Sequence, residues 1–117
     1  MQRLWRATIN TRNGLAFAFR SEQAIREELV ALALSLPAAW LIGATMMRRV
    51  ELVATVVLVL VIELLNTAIE KLADRLTTDH DPQIERVKDM GSAAVGVALV
   101  MAGLFWLFAI AERMGVL

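Results

Sequence analysis

Two long stretches without a single charged residue set the strongest limit on how this chain can fold. Residues 29–47 and residues 90–111 carry no charge, although 21% of the 117 residues are charged. A helix of nineteen residues is about 28 Å long, close to the roughly 30 Å thickness of the hydrocarbon core of a bilayer. Such stretches are not typical of a small soluble domain. The sequence therefore predicts a small integral membrane protein.

A third apolar stretch lies between these two. Residues 52–62 carry no charge, and the apolar pattern continues beyond them, with Glu63 and Glu70 as interruptions. The sequence thus predicts an all-α fold in which residues 1–117 form one membrane domain. The three transmembrane helices are expected at about residues 29–47, 50–76 and 90–112.

The chain before the first span and the distribution of basic residues predict the arrangement in the membrane. Residues 1–28 are amphipathic, which is typical of a helix that lies in the membrane surface; a disordered tail over at least the first ten residues is the alternative. Nine basic residues lie in the N-terminal segment and around the second connection, and three lie around the first connection and the C-terminus. The excess of basic residues marks the cytoplasmic side, so we expect a cytoplasmic N-terminus and an outward C-terminus. No signal peptide is expected, because the first apolar run begins only at residue 29.

Polar residues interrupt the second predicted span at helical spacing. They lie three, four and four positions apart, within about 80° of one helix face: Glu63, Asn66, Glu70 and Asp74. Glu63 is expected some 10 Å inside the hydrocarbon boundary, where a carboxylate costs on the order of 3 kcal/mol. A residue that costly is a functional candidate, and a partly desolvated carboxylate can act as a general base. A structural contact between helices is the alternative for Glu63 alone.

Further charged groups are expected at the same cytoplasmic level. Glu22 and Glu28 lie towards the end of the surface helix, and Lys88 and Asp89 come just before the third span. A helix N-terminus predicted at residues 90–92 offers free backbone N–H groups to an anion. Carboxylates with a lysine can bind Mg²⁺ and the phosphates it carries, although Lys88 equally fits a membrane anchor.

The composition and the motifs that are missing exclude several other classes. The chain has no cysteine, which excludes thiol chemistry and disulfides. Twelve basic residues balance twelve acidic ones, so no nucleic-acid partner is expected. Neither a P-loop nor a GxGxxG motif occurs, so a nucleotide has to be held in another way.

Residues 63–76 (ELLNTAIEKLADRL) and 86–95 (RVKDMGSAAV) closely resemble the prokaryotic diacylglycerol kinase family, and residues 21–28 (SEQAIREE) match it in type and spacing. The resemblance runs through nearly the whole chain. It implies an integral-membrane lipid kinase of the bacterial inner membrane, which transfers the γ-phosphate of Mg-ATP to the sn-3 hydroxyl of diacylglycerol and so makes phosphatidic acid. It also implies a homotrimeric helical bundle whose active sites are shared between subunits.

The resemblance further implies roles for matching positions. Glu63 is implied as the catalytic base, and Glu22 and Glu70 as the Mg²⁺ ligands. The residues implied around the lipid substrate are Glu28, Glu63, Asn66 and Ser92. The residues implied around the nucleotide are Arg3, Asn10, Glu22, Glu70, Asp79, His80, Asp81, Lys88 and Asp89. Arg3 and residues 79–81 match by spacing only, and Asn10 stands where an aromatic residue is common in the family.

Three other functions stay open at this point. An undecaprenol kinase of the same family uses the same motifs, although residues 88–95 look more like the diacylglycerol branch. An ion-coupled transporter with Glu63 as its carrier site needs polar access from both faces, and the outer halves of the spans offer only Ser35, Thr45 and Thr55. An accessory membrane scaffold without catalysis is the third.

Overall fold

The computed structural model describes all 117 residues and contains four α-helices and no strand. The helices are α1 (Gln2–Ser21), α2 (Gln23–Ile42), α3 (Met46–Leu76) and α4 (Pro82–Arg113). The two long helices α3 and α4 pack along each other, α2 lies against α3, and α1 contacts α2. The prediction of an all-α fold is confirmed.

The helices α3 and α4 are each long and apolar enough to cross a membrane. Large apolar side chains along α4, such as Val97, Leu104 and Leu107, are exposed rather than packed inside the protein. A helix that is apolar on all sides and exposed suits a lipid environment. Helix α2 carries three charges near its start, at residues 26–28, and is not among the helices that meet this description. The transmembrane helix predicted at residues 29–47 therefore stays a prediction.

Both long helices extend beyond the apolar layer at one end. They contain 31 and 32 residues, so each is about 47 Å long, against roughly 30 Å of hydrocarbon. Their charged portions meet at the end where residues 77–81 join them. We call this the loop end; the polar residues of α3 that were predicted to form a stripe lie there.

The start of α4 differs from the predicted one. Asp81 caps this helix by accepting hydrogen bonds from the backbone N–H groups of Gln83 and Ile84, and Pro82 occupies its first turn. Aspartate is a favoured N-cap and proline a favoured first residue of a helix. The N–H groups of residues 90–92 are therefore engaged inside the helix, and the prediction of an anion-binding helix N-terminus there is wrong.

The break between the first two helices lies at Glu22, whereas the surface helix was predicted to reach residue 28. Glu22 has an extended backbone, with φ −128° and ψ 120°. Nη1 of Arg26 donates hydrogen bonds to the carbonyl oxygens of Phe19 (2.9 Å) and Arg20 (3.3 Å). These carbonyls belong to the last turn of α1, where a cation also interacts favourably with the helix dipole. Glu28 therefore belongs to α2.

Small clusters of buried apolar residues hold the helices in register. Ile25 of α2 packs with Ala18 of α1 and Leu60 of α3, next to the break at Glu22. Near the far end of α3 from the loop, Leu52 packs with Ala39 of α2 and Ala109 of α4. The first cluster fixes where the helix break lies relative to α3.

Three charged side chains at this far end form a paired group. Arg48 of α3 bonds Glu51 on its own helix and Glu112 of α4, where Nε lies 3.0 Å from Oε1. The guanidinium group also lies 4.7 Å from the centroid of the Phe108 ring. These contacts join α3 to α4 at the end opposite the loop.

We predict that Arg26→Gln loosens the end of α1, because it removes the cation that bonds the last carbonyls of that helix. Hydrogen–deuterium exchange of residues 15–21 should become about fivefold faster, which corresponds to the roughly 1 kcal/mol of one such hydrogen bond. The matched control is Arg20→Gln, because the Arg20 side chain is exposed and makes no hydrogen bond or ion pair. Equal exchange in the two variants would contradict this role.

Candidate functional site

The polar stripe of α3, formed by Glu63, Asn66, Glu70 and Asp74, lies at the loop end. Its first three members are half-buried, and Asp74 is exposed. Nδ2 of Asn66 donates a hydrogen bond to Oε1 of Glu70 at 3.2 Å. Oε2 of Glu63 and Oδ1 of Asn66 are buried and have no hydrogen-bond partner. Leaving such an atom unpaired costs about 1–3 kcal/mol, so these oxygens mark a place where a proton, an ion or a ligand belongs.

Gly91 brings α4 against this stripe. The residue is buried, and a Cβ atom at position 91 would overlap Oδ1 of Asn66. A glycine therefore lets the two helix backbones approach while the amide of Asn66 keeps its place beside Glu70. Gly91 lies within residues 86–95, which carry the resemblance, but the sequence alone does not show why a glycine stands there. The contact between α3 and α4 shows the reason, because a side chain at position 91 would overlap Asn66.

Glu28 faces the same region from α2. Burial raises the pKa of Glu28, and the negative charges of Glu63 and Glu27 raise it further. Glu28 therefore keeps its proton to a higher pH than a free glutamate does. The structure thus brings together two of the predicted substrate residues, Glu28 and Glu63, from neighbouring helices.

Glu22 meets α3 through a residue that the sequence did not assign to the site. Oε1 of Glu22 lies 2.8 Å from Nζ of Lys71, and Lys71 directly follows Glu70 along the chain. The ammonium group also lies 5.2 Å from the centroid of the Phe17 ring. A lysine at this point of the sequence fits a membrane anchor equally well, so sequence reasoning had no signal that singled out Lys71.

Other predicted residues line the edge of the site or lie away from it. Lys88 of α4 forms an ion pair with Asp74 of α3, which places a cation at the exposed end of the stripe. Asp89 and Ser92 are exposed on α4 and their side chains make no hydrogen bond.

The remaining nucleotide candidates lie at the edge of the stripe or beyond it. Residues 79–81 form an exposed loop that lines a surface pocket together with Lys88, and Nε2 of His80 lies 3.6 Å from a carboxylate oxygen of Glu85. Asn10 lines a groove of about 520 Å³ between α1 and α3, together with Lys71. Arg3 is exposed and lies nineteen residues before Glu22, about 28 Å away along the helix.

The oxygen atoms of the stripe fit a hard cation. No group of three or more acidic, histidine or cysteine side chains gathers to hold a metal. Mg²⁺ does not need such a cluster, because it commonly uses one or two carboxylates together with the oxygens of a substrate phosphate. The carboxylate of Glu70 offers such oxygens, and its Oε1 is held by the N–H group of Asn66. Glu22 already holds a cation, the ammonium group of Lys71.

These features define a helical membrane protein with an acidic site at one end of its apolar helices. The sequence model of the family described as "Prokaryotic diacylglycerol kinase" matches residues 10–110. The chain belongs to this family, is a kinase and is a membrane protein. The resemblance stated from its motifs is confirmed, and Arg3 lies outside the matched residues.

Three relatives named "Diacylglycerol kinase" show how far the similarity extends. The protein of Escherichia coli (strain K12) is 40% identical over 93 residues, which cover 80% of this chain and 76% of that protein. The protein of Haemophilus influenzae is 37% identical over 93 residues, covering 80% and 79%. The protein of Pseudomonas aeruginosa is 36% identical over 106 residues, covering 91% and 86%.

We predict that Gly91→Ala lowers kinase activity at least tenfold, because the new Cβ displaces the amide of Asn66 from Glu70. The protein should still fold, since alanine favours a helix by about 1 kcal/mol over glycine. Gly96→Ala in the same helix is the control, because a Cβ at position 96 meets nothing within 4 Å. Activity of the two variants, measured on protein that elutes as the wild type does, checks the prediction, and equal activities would contradict it.

Proposed function

We propose that this chain is an ATP-dependent diacylglycerol kinase, which transfers the γ-phosphate of Mg-ATP to the sn-3 hydroxyl of diacylglycerol and makes phosphatidic acid. Its family and the names of its relatives support the class of reaction and the lipid acceptor. The observation that carries the mechanism is the buried carboxylate oxygen of Glu63, which has no partner at the end of an apolar helix segment.

The depth of the stripe supports a lipid acceptor. Glu63 directly follows the uncharged residues 52–62, so its carboxylate lies where the helix leaves the most apolar layer. Diacylglycerol has no charged headgroup, and its hydroxyl therefore sits near the hydrocarbon boundary. Glu70 lies about 10 Å further along the helix, on the side from which a nucleotide arrives from water. The stripe thus spans the distance between the two substrates.

Glu63 acts as the general base in this proposal. Its Oε2 accepts the proton of the sn-3 hydroxyl while that oxygen attacks the γ-phosphorus, and the bond between the γ-phosphorus and its bridging oxygen breaks to release ADP. Glu28, which faces the same region from α2, contacts the lipid and keeps its hydroxyl beside Glu63.

The other stripe residues hold and orient the nucleotide. Glu70 and Glu22 are the residues that would hold Mg²⁺, and Nδ2 of Asn66 orients the carboxylate of Glu70. When it is bound, Mg²⁺ neutralises charge on the phosphates. Lys88 supplies further positive charge at the exposed end of the stripe. The remaining predicted contacts, including Asn10 and residues 79–81, belong to the nucleotide side of the proposal.

We also propose that the chain works as a homotrimer in the bacterial inner membrane, with α2 as the third span. The bias of nine basic residues to three supports a cytoplasmic N-terminus and loop end. Exposed apolar side chains on α3 and α4 leave surface both for lipid and for neighbouring subunits.

The reaction can be tested with purified protein, labelled ATP and Mg²⁺ in detergent micelles. Diacylglycerol should become labelled, and ATP should be consumed only when the lipid is present. Undecaprenol in the same micelles should be labelled far more slowly. If only undecaprenol becomes labelled, the lipid acceptor is undecaprenol and not diacylglycerol. If neither lipid causes ATP to be consumed, the chain is not a lipid kinase.

We predict that Glu63→Gln lowers kcat by about 10²- to 10⁴-fold, because glutamine cannot accept the hydroxyl proton. Binding of a non-hydrolysable ATP analogue should not change, since the nucleotide contacts lie further along the stripe. Glu51→Gln is the control on the same helix, because Glu51 pairs with Arg48 at the opposite end. Substantial activity in Glu63→Gln would remove this residue from its role as base.

We predict that Glu70→Gln and Glu22→Gln each raise the Mg²⁺ concentration for half-maximal activity by about tenfold or more, because each removes a charged metal ligand. Asp74→Asn is the control, because Asp74 pairs with Lys88 at the exposed end of the stripe. Activity measured over a range of Mg²⁺ concentrations checks this. If either variant needs the same Mg²⁺ concentration as the wild type, the residue replaced in it is not a metal ligand.

A further inference from the structure

Lys71 is the cation that pairs with Glu22 in the structure. Nζ of Lys71 lies 2.8 Å from Oε1 of Glu22, and the two side chains are 42% and 31% exposed. The pair is therefore open to water rather than locked in the interior. An ion pair of this kind breaks and forms at little cost.

This ion pair lies where the proposed metal would bind. Glu22 is one of the two carboxylates assigned to Mg²⁺, and the other, Glu70, directly precedes Lys71 along the chain. An ammonium group within hydrogen-bond distance of Glu22 and a divalent cation on the same carboxylate repel each other, because both carry positive charge. The two cations therefore compete for one carboxylate.

The surroundings of Lys71 let its side chain leave Glu22. The residue lines the groove of about 520 Å³ between α1 and α3, beside Asn10, Leu64 and Thr67. A lysine side chain carries its charge on a flexible four-carbon stem and its head is strongly hydrated. The lining of this groove is mostly apolar, whereas the Lys71 side chain is already open to water. Rotation of the stem towards water therefore frees the carboxylate without any movement of a helix.

We propose that Lys71 is the counter-ion of Glu22: it neutralises this carboxylate before the metal binds and turns away towards water when the metal binds. The inference rests on the proposed function, because it takes Glu22 to be a metal ligand. Lys71 thereby lowers the affinity of the site for the divalent cation, and it takes no part in the phosphoryl transfer itself.

The test is the affinity for Mn²⁺, used as the probe for the divalent cation and measured without turnover. Electron paramagnetic resonance reports the free Mn²⁺ over the detergent-solubilised full chain, in the presence of a non-hydrolysable ATP analogue. Lys71→Gln should bind Mn²⁺ about two- to fivefold more tightly, the range that an exposed ion pair provides. Lys71→Arg, which keeps the charge, should bind Mn²⁺ as the wild type does.

Two further variants separate competition at Glu22 from a general effect of charge. Arg75→Gln removes one positive charge from the last turn of α3, where the side chain is exposed and unpaired, and it should leave the Mn²⁺ affinity unchanged. In a Glu22→Gln background, Lys71→Gln should have no further effect, because the shared carboxylate is gone.

The outcomes distinguish this inference from the function on which it rests. Unchanged or weaker Mn²⁺ binding in Lys71→Gln would overturn it and leave the metal role of Glu22 standing, provided that Glu22→Gln binds Mn²⁺ less tightly. The same gain in Arg75→Gln, or in the Glu22→Gln background, would overturn it as well. Unchanged Mn²⁺ binding in Glu22→Gln alone would overturn the metal role of Glu22, and with it the inference.

Discussion

An acidic side chain among apolar helices has to be paired, protonated or in contact with a ligand, because hydrocarbon does not solvate a charge. The arrangement at the loop end follows from this constraint. Glu63 comes where the uncharged segment of α3 ends, and Asn66 and Glu70 continue the polar face towards water. Helix α4 can approach this face because Gly91 has no side chain there. The stripe is thus enclosed by protein and still leaves two oxygens unpaired.

The two ends of the α3–α4 pair differ in whether their charged side chains have partners. At the far end, Arg48 bonds both Glu51 and Glu112, so each of these charges has a partner and the contacts join α3 to α4. At the loop end, Glu63 keeps a buried oxygen without a partner. Structural charges are normally satisfied within the fold. The contrast therefore separates the charges that hold the helices together from Glu63, whose buried oxygen has no partner within the fold.

The site depends on the joint between α1 and α2 as well as on the long helices. Arg26 bonds the last carbonyls of α1, and Ile25 packs with Leu60 of α3 at the same level. Together these contacts place Glu22 beside Lys71. One side of the site is therefore a helix break with exposed side chains, and the other is a closely packed helix pair. The site is therefore open to water at the helix break, while Glu63 stays packed between the helices.

The sequence by itself determined the helical class, the apolar segments and the polar face of α3, because helix length and a 3.6-residue period depend only on local spacing. The start of α4 also depends on local residues, the N-cap Asp81 and Pro82 in the first turn, and not on where the apolar run begins. Only the tertiary structure decided that Lys71 pairs with Glu22 and that Gly91 meets Asn66. Such contacts depend on how each helix is rotated and placed against its neighbour, which residue spacing within one helix does not specify.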